Sequence, residues 1–525
     1  MNSHHLFRRI IVVASIYVFA CSTALTQSVL PEAMQLDLKR VEETWRILDR
    51  YAEAAWPGWK NYTEIPFRLN YPDGVSLQIV EPRFPEKFKL VEGVTLRGKK
   101  IYLDDSRMNS IILSPRLEFA GGGAGLGTGH PSLQVHRALI TKEREHLADS
   151  LVRSLGNPTW PSAIAYSTDQ TIVGFVHELF HCYTDFGPMW WGGKLFDPDL
   201  NYAVYSEMEG ALLERAAFER DTALVRQYVV RALVARERKL QNMSSEHKTF
   251  AADQEKAEGT AEYAAYRVVE LLKKGYEPGL SPQEDPLYFG FRYSEYFAAA
   301  RLRDFEGMLK NTLVAGGKNY AIGFFSCLVL DKLRPEWKNG FFENKRSFEE
   351  LLRSAVVLKE EQKASMLDEV KKECGYDALV QRHSPVFARR DSVIKLFQNP
   401  TAKTYVINFK ALGLRPTFTS IEQMYPQDMQ YYYAPGLTTM QIGDARFESK
   451  GTAVCYDIRT TSITVVDFSS QSDAKGYEVK SNRQDAEGNF WDADVTAYGF
   501  SLHAGKVKIV ESPTKVEFVL LPSAK

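Results

Sequence analysis

The pattern of apolar residues changes from helical to strand-like near residue 400, and this change constrains the fold more than any other feature of the sequence. From about 133 to 390, apolar residues recur at the three- and four-residue spacing of amphipathic helices. This spacing predicts helices at 134–155, 168–184, 202–218, 222–241, 247–274, 293–310, 319–333 and 347–357. Later residues predict short strands between turns, at 404–409, 462–466, 507–510 and 516–520. We therefore expect a mostly helical middle, 133–395, followed by an all-β sandwich or barrel domain, 400–525.

The residues before the helical region predict a region that contains both a helix and short strands. A helical pattern runs from Pro31 to about Trp56, and residues 60–120 read as short strands broken by turns. The glycine-rich run 121–129 lacks the Gly-Lys-Ser/Thr ending of a phosphate loop, so we expect a surface loop there, with a substrate-facing lid as the alternative. We therefore expect an α+β N-terminal region at 28–132. Together with the helical and all-β regions, it predicts that the 525 residues form an α+β multidomain protein.

The N-terminus has the pattern of a secretory signal peptide. Arg8 and Arg9 precede a short apolar run at 10–20, and small residues follow it. The pattern predicts a signal peptide at 1–26 and export to the periplasm, the cell surface or the medium. Cys21 stands where a bacterial lipoprotein is lipidated, which is the alternative that would tie the protein to a membrane.

The charge balance argues against a nucleic-acid partner. Sixty-five basic and 66 acidic residues give a formal charge of -1, whereas nucleic-acid binding favours a basic excess. The cysteines beyond the signal region are scattered, so neither a cysteine metal site nor a disulfide-dense scaffold is expected at Cys182, Cys327, Cys374 and Cys455.

A short segment in the helical region has the spacing of a metal site. His177 and His181 lie one helical turn apart, so both imidazoles can face one cation. Glu178 is rotated about 100° from His177 around the helix, beside the metal, where a carboxylate can accept and return a proton. The segment Ser167-Thr168-Asp169-Gln170 offers a capped start for this helix.

A catalytic zinc site needs a third protein ligand. No third histidine follows His181 at metzincin spacing, so a carboxylate on a second helix is expected. One predicted helix offers Glu207 or Glu209, and another offers Glu258. The residues alone leave these alternatives open.

The segment around Glu258 resembles a known motif. Glu258-Gly259-Thr260-Ala261-Glu262-Tyr263 is similar to the third-ligand helix of the gluzincins, the thermolysin and aminopeptidase-N type of metallopeptidase. The resemblance implies that Glu258 binds zinc and that Glu262, one turn later, orients a ligating histidine. Glu209 remains the alternative ligand. The gap between His181 and Glu258 is longer than is typical of the family, and the helices predicted at 202–218 and 222–241 would fill it.

A second segment has the same resemblance. Asn319-Tyr320-Ala321-Ile322-Gly323 is similar to the Tyr-x-x-Gly helix of aminopeptidase-N-like enzymes, which implies that Tyr320 donates a hydrogen bond to the oxyanion. Together these resemblances imply a zincin-like domain at 133–395 and a Zn²⁺ metallopeptidase that acts on a peptide or protein. The signal-peptide pattern at 1–26 adds the expectation that the enzyme is exported. The alternative is a catalytically silent zincin-fold binding or cell-envelope protein.

Overall fold

The computed structural model is mixed α and β. It describes residues 30–71, 75–81, 88–104, 117–124, 133–139, 167–184, 198–311, 315–344, 346–398, 403–413, 417–421, 425–427, 431–434, 438–449, 452–467 and 476–522. These residues form ten α-helices and eighteen β-strands. The α+β class and the strand-rich C-terminal region are therefore confirmed. The predicted signal peptide at 1–26, including Cys21, lies outside the described residues.

The N-terminal region contains one long helix and a six-stranded sheet, both in the same compact unit. Helix α1 (Glu32–Ala55) follows Pro31 and buries one face, which includes Trp45 and Leu48. The strands are β1 (Phe67–Asn70), β2 (Ser76–Ile79), β3 (Lys89–Leu96), β4 (Lys99–Asp104), β5 (Leu117–Ala124) and β6 (Leu133–Leu139). Their order in the sheet is β3-β4-β2-β1-β6-β5, with β1 and β6 parallel and the other pairs antiparallel.

Two predictions near this sheet are wrong for the residues that the structure describes, while their remaining parts, 125–129 and 140–155, lie outside these residues. The helix predicted at 134–155 is replaced at its start by strand β6, because this segment hydrogen bonds to β1 and β5 and sheet pairing overrides the local pattern. The glycine run predicted as a loop enters strand β5 with Gly121, Gly122 and Gly123. The register of β5 against β6 shifts between Phe119 and Gly121, a bulge that glycine accommodates well.

Nine helices follow the first sheet, and most match the predicted ranges to within a few residues. They are α2 (Thr168–Thr184), α3 (Leu200–Phe218), α4 (Thr222–Leu240), α5 (Ser245–Leu272), α6 (Ser294–Lys310), α7 (Ala315–Leu333), α8 (Phe348–Ala355), α9 (Lys363–Cys374) and α10 (Tyr376–Phe397). Among the helices of these ranges, none is both long and apolar enough to cross a bilayer.

The C-terminal strands form one hydrogen-bonded sheet. They are β7 (Lys403–Asn408), β8 (Thr417–Ile421), β9 (Tyr425–Gln427), β10 (Tyr431–Ala434), β11 (Thr438–Ile442), β12 (Ala445–Ser449), β13 (Val454–Asp457), β14 (Ser462–Asp467), β15 (Tyr477–Gln484), β16 (Phe490–Ala497), β17 (Phe500–Glu511) and β18 (Lys515–Leu520). Side chains from most of these strands share one buried apolar core, which explains the alternating pattern in sequences such as 515–520. The sandwich or barrel geometry stays a prediction.

The chain divides into two compact units that interleave in sequence. Unit 1 comprises the described residues within 1–189, 252–307 and 319–355. Unit 2 comprises those within 190–251, 308–318 and 356–525. The predicted domain boundaries stay predictions. The four cysteines of the described residues are free thiols, three of them buried.

Candidate metal centre

Helix α2 carries the histidine pair and is anchored firmly at its start. The Ser167 hydroxyl accepts a hydrogen bond from the backbone N–H of Gln170 at 3.1 Å, which confirms the predicted cap. The buried Asp169 carboxylate accepts from the backbone N–H groups of Phe289 and Phe291 at 2.7 and 2.6 Å. Burial raises the pKa of Asp169 to about 7. These contacts fix the start of the helix within unit 1. The sequence placed Asp169 in the capping segment but gave no sign of its contacts with Phe289 and Phe291.

The structure brings three predicted ligands together. The Nε2 atoms of His177 and His181 lie 3.0 Å apart, and Glu258 Oε2 lies 3.5 Å from the first and 3.2 Å from the second. A tetrahedral zinc ion with bonds of about 2.0–2.1 Å separates neighbouring ligand atoms by about 3.3 Å. The three donor atoms therefore have the spacing of one face of a zinc coordination tetrahedron.

The chemistry of these donor atoms also fits a cation. Glu258 Oε2 is buried and no group in the described part of the chain gives it a hydrogen bond of acceptable geometry. Burial lowers the pKa of His177, which favours the neutral ring with a lone pair available. Burial acts in the same direction on His181, but the Glu258 carboxylate outweighs it and raises the pKa of that ring, so a cation bound there would displace a proton. Burial opposes ionisation of Glu258, but the two histidines outweigh it and hold the pKa of that carboxyl below its usual range. Neutral imidazole and ionised carboxylate are the forms that bind metals.

Glu262 occupies the position expected of a residue that orients a ligand. Its Oε1 atom lies 3.5 Å from His177 Nδ1, on the ring edge away from the cluster of donor atoms. The Arg301 guanidinium holds Glu262 through both of its oxygens, with Nε donating to Oε2 at 2.8 Å. Sequence reasoning missed Arg301, because helix α6 has no recognisable spacing relative to the histidine motif.

Glu178 and Tyr320 both line a cavity beside these ligands. Glu178 is half-buried on the cavity side of α2. Burial, reinforced by the nearby negative charge of Glu258, raises the pKa of Tyr320 above its ordinary value. Tyr320 therefore stays protonated and keeps a proton to donate.

The helices that carry Glu258 and Tyr320 touch through two glycines. A Cβ placed on Gly259 would lie 2.4 Å from the Cα of Gly323, closer than real side chains allow. A Cβ on Gly323 would lie 2.1 Å from the carbonyl oxygen of Glu255. Only glycine permits this approach of α5 and α7, which brings Tyr320 within reach of Glu258.

The alternative carboxylates have other partners. Glu209 is buried between Arg236 Nε and Lys239 Nζ, each 2.6 Å from one of its oxygens. Glu207 accepts from Arg382, and its Oε2 atom lies 2.9 Å from His383 Nε2. Within the described residues, a metal-binding group of three or more histidine, cysteine or carboxylate side chains forms only at His177, His181 and Glu258.

The cavity runs from the donor cluster along four helices, α2, α5, α6 and α7, and has a volume of about 320 Å³. Its wall combines polar side chains of the candidate site with small and apolar residues, and Gln170 adds a further polar group. No family model, curated protein or solved structure matches the chain. The site is therefore interpreted from its own geometry and from the motif resemblance.

Proposed function

We propose that the protein is an exported zinc-dependent hydrolase that cleaves peptide bonds. The observation that carries this proposal is the triangle of His177, His181 and Glu258 donor atoms, with Glu178 lining the cavity next to it. A zinc ion bound there would polarise a carbonyl group and lower the pKa of water.

The residues around the triangle have separate tasks in this proposal. Glu178 accepts the proton released by the attacking water and returns it to the leaving amine. Tyr320, which keeps its proton, donates a hydrogen bond to the developing oxyanion. Glu262 Oε1 lies 3.5 Å from His177 Nδ1, where accepting the Nδ1 proton would leave the lone pair of Nε2 facing the donor cluster. Arg301 holds Glu262 in place for this contact.

The zincin-like fold and export are parts of the same proposal. The helix order of the resemblance, His177 then Glu258 then Tyr320, supports a gluzincin-like arrangement. The pattern at 1–26 supports export, and N-terminal sequencing of the mature protein tests it.

Metal analysis of the purified protein tests the metal. We expect about one zinc per chain in the wild type and little in His177→Ala. Two histidines and a carboxylate also suit iron(II), so iron is measured beside zinc. Iron in place of zinc, or zinc unaffected by His177→Ala, would overturn the assignment.

A peptide-library assay tests the reaction. We expect Glu178→Gln to retain zinc and to lose about 10²–10⁴-fold in activity, the usual contribution of a general base. The exposed Glu295→Gln on α6 is the matched control and should keep full activity. Cleavage that survives Glu178→Gln would refute the mechanism. A broad screen without zinc-dependent cleavage would instead favour a silent binding protein.

A further inference from the structure

The turn that precedes helix α6 has an unusual backbone. Phe291 is buried and has a φ of 57°, in the left-handed region, directly after Gly290 with a φ of 63°. Glycine adopts this region freely, whereas a bulky residue there is an outlier that stores strain. Such strain persists only where surrounding contacts hold the backbone in place. The groups that bind Phe291 therefore determine the path of the chain into α6.

Asp169, at the start of α2, holds this turn with both of its oxygens. The carboxyl group is buried, and its Oδ1 atom accepts a hydrogen bond from the backbone N–H of Phe291 at 2.6 Å. Its Oδ2 atom accepts from the backbone N–H of Phe289 at 2.7 Å. One side chain thus fixes the two N–H groups on either side of Gly290.

The turn continues directly into α6. The carbonyl oxygen of Phe291 accepts a hydrogen bond from the N–H of Ser294, the first residue of that helix, at 3.0 Å. The ring of Phe291 also packs against that of Phe297, with centroids 6.1 Å apart. Phe297 lies one helical turn before Arg301, and both side chains line the cavity of the candidate site. The placement of Arg301 therefore depends on the conformation of Phe291.

Arg301 is the point at which α6 meets the candidate metal centre. Its guanidinium binds both oxygens of Glu262, with Nε donating to Oε2 at 2.8 Å, and Glu262 Oε1 lies 3.5 Å from His177 Nδ1. Hydrogen bonds of this kind span about 2.7–3.2 Å, so a shift of α6 by about 1 Å would break the contact. The turn, α6 and these three residues all belong to unit 1.

We propose that Asp169 is a positioning residue for the metal centre: it holds Phe291 in the left-handed conformation, fixes the start of α6 and so keeps Arg301 in contact with Glu262. This inference rests on the proposed zinc site, in which Glu262 orients His177. If Asp169 instead served only to anchor α2, its loss would lower the stability of the protein without changing its zinc affinity.

Competition with a zinc chelator tests the link to the metal. Asparagine has one acceptor oxygen, so in Asp169→Asn one N–H group of the turn loses its partner. We expect Asp169→Asn to lower zinc affinity by about tenfold, the lower end of what loss of an orienting group costs. Because Asp169 acts through Glu262, Asp169→Asn combined with Glu262→Gln should bind zinc no more weakly than Glu262→Gln alone.

Thr168→Val is the matched control. It removes the buried hydrogen bond from Thr168 to Asp285 in the same segment, but leaves both contacts of Asp169 in place. Its stability should decrease and its zinc affinity should match that of the wild type. Hydrogen exchange of the zinc-free proteins follows the structural step without metal, and Asp169→Asn should increase exchange at 294–301 more than Thr168→Val does.

Arg301→Gln keeps the test decisive if Asp169→Asn does not fold, because it breaks the contact with Glu262 at a partly exposed side chain. It should lower zinc affinity as Glu262→Gln does. Wild-type zinc affinity in Arg301→Gln, additive effects of Asp169→Asn and Glu262→Gln, or equal exchange at 294–301 in Asp169→Asn and Thr168→Val would overturn the inference. A wild-type protein that binds no zinc would instead overturn the proposed function.

Discussion

At the scale of single residues, two buried glutamates, Glu209 on α3 and Glu258 on α5, lie in different environments. Glu258 Oε2 faces the rings of two histidines, whereas the two oxygens of Glu209 are ion-paired with Arg236 and Lys239. The environment of Glu258 suits a metal ligand, whereas Glu209 neutralises buried cations. Removing Glu258 should therefore affect metal binding, and removing Glu209 should affect the stability of the protein.

We predict that Glu258→Ala abolishes zinc binding, while Glu209→Ala leaves zinc bound and destabilises the protein. Loss of Glu209 breaks its buried ion pairs with Arg236 and Lys239, and breaking a buried pair costs about 3–5 kcal/mol. Metal analysis and urea unfolding of both variants measure the two effects. Zinc lost in Glu209→Ala but kept in Glu258→Ala would reverse the assignment.

We also predict that Glu262→Gln weakens zinc affinity by about 10- to 100-fold, as removal of a group that orients a ligand typically does. The carboxylate lies 3.5 Å from His177 Nδ1, and an amide there is a weaker acceptor. Competition with a zinc chelator gives the affinity. The exposed Glu295→Gln serves as the control, and equal affinities in the two variants would contradict this role for Glu262.

The sequence was informative about residues whose spacing is set by one helix. His177, Glu178 and His181 are such a set, and so are Glu258 and Glu262. It could not decide between Glu258 and Glu209, because that choice depends on which cations and histidines surround each carboxylate. Arg301 and Asp169 act through contacts distant in sequence, which no periodicity reveals.

At the scale of elements, the contact between α5 and α7 near the candidate site leaves no room for a side chain larger than that of glycine. We predict that Gly259→Ala destabilises the protein by about 1–3 kcal/mol, the usual cost of overpacking. The added methyl would meet the backbone of Gly323.

Gly307→Ala is the control for this prediction, because it places the same methyl in open space on helix α6. Alanine is favoured over glycine in helices, so this control should gain up to about 1 kcal/mol. Urea unfolding measures both variants. Equal effects of the two substitutions would show that the glycine contact is unimportant.

Element prediction from sequence succeeded where an element is long and periodic, as in α2 and α5. It failed at β6, because the pairing of that strand with β1 and β5 depends on residues far along the chain. The glycines of β5 were ambiguous for a related reason, since a bulge and a loop favour the same residue type.

At the scale of the whole molecule, all three candidate ligands belong to unit 1. Because zinc binds the folded state, its removal should loosen the elements that hold it. We predict that chelation increases hydrogen exchange in α2 and at 252–272 more than in the C-terminal strands. Mass spectrometry resolves these segments. In His177→Ala the chelator should not change hydrogen exchange. A uniform increase in hydrogen exchange across the wild-type protein would contradict a local structural role for zinc.

In unit 2, the buried side chain of Lys318 makes the free energy of unfolding depend on pH. This side chain is fully buried, and burial lowers its pKa to about 7, although Glu207 opposes the shift and the nearby Arg382 and Lys239 reinforce it. Between about pH 7 and 10.5 the unfolded chain holds a proton that the folded protein lacks, so the free energy of unfolding increases with pH across this window. The stability that the protein gains from Lys318 being uncharged at high pH is lost as pH falls towards 7.

We predict that Lys318→Met removes this slope, which is at most about 1.4 kcal/mol per pH unit. Methionine has a similar length and no charge, so the buried position stays filled at every pH. Urea unfolding of both proteins between pH 6 and 10 gives the difference in free energy of unfolding. That difference should favour Lys318→Met most at pH 6 and shrink as pH increases. A difference that is constant across the range would mean that Lys318 keeps the same charge in the folded and unfolded chains.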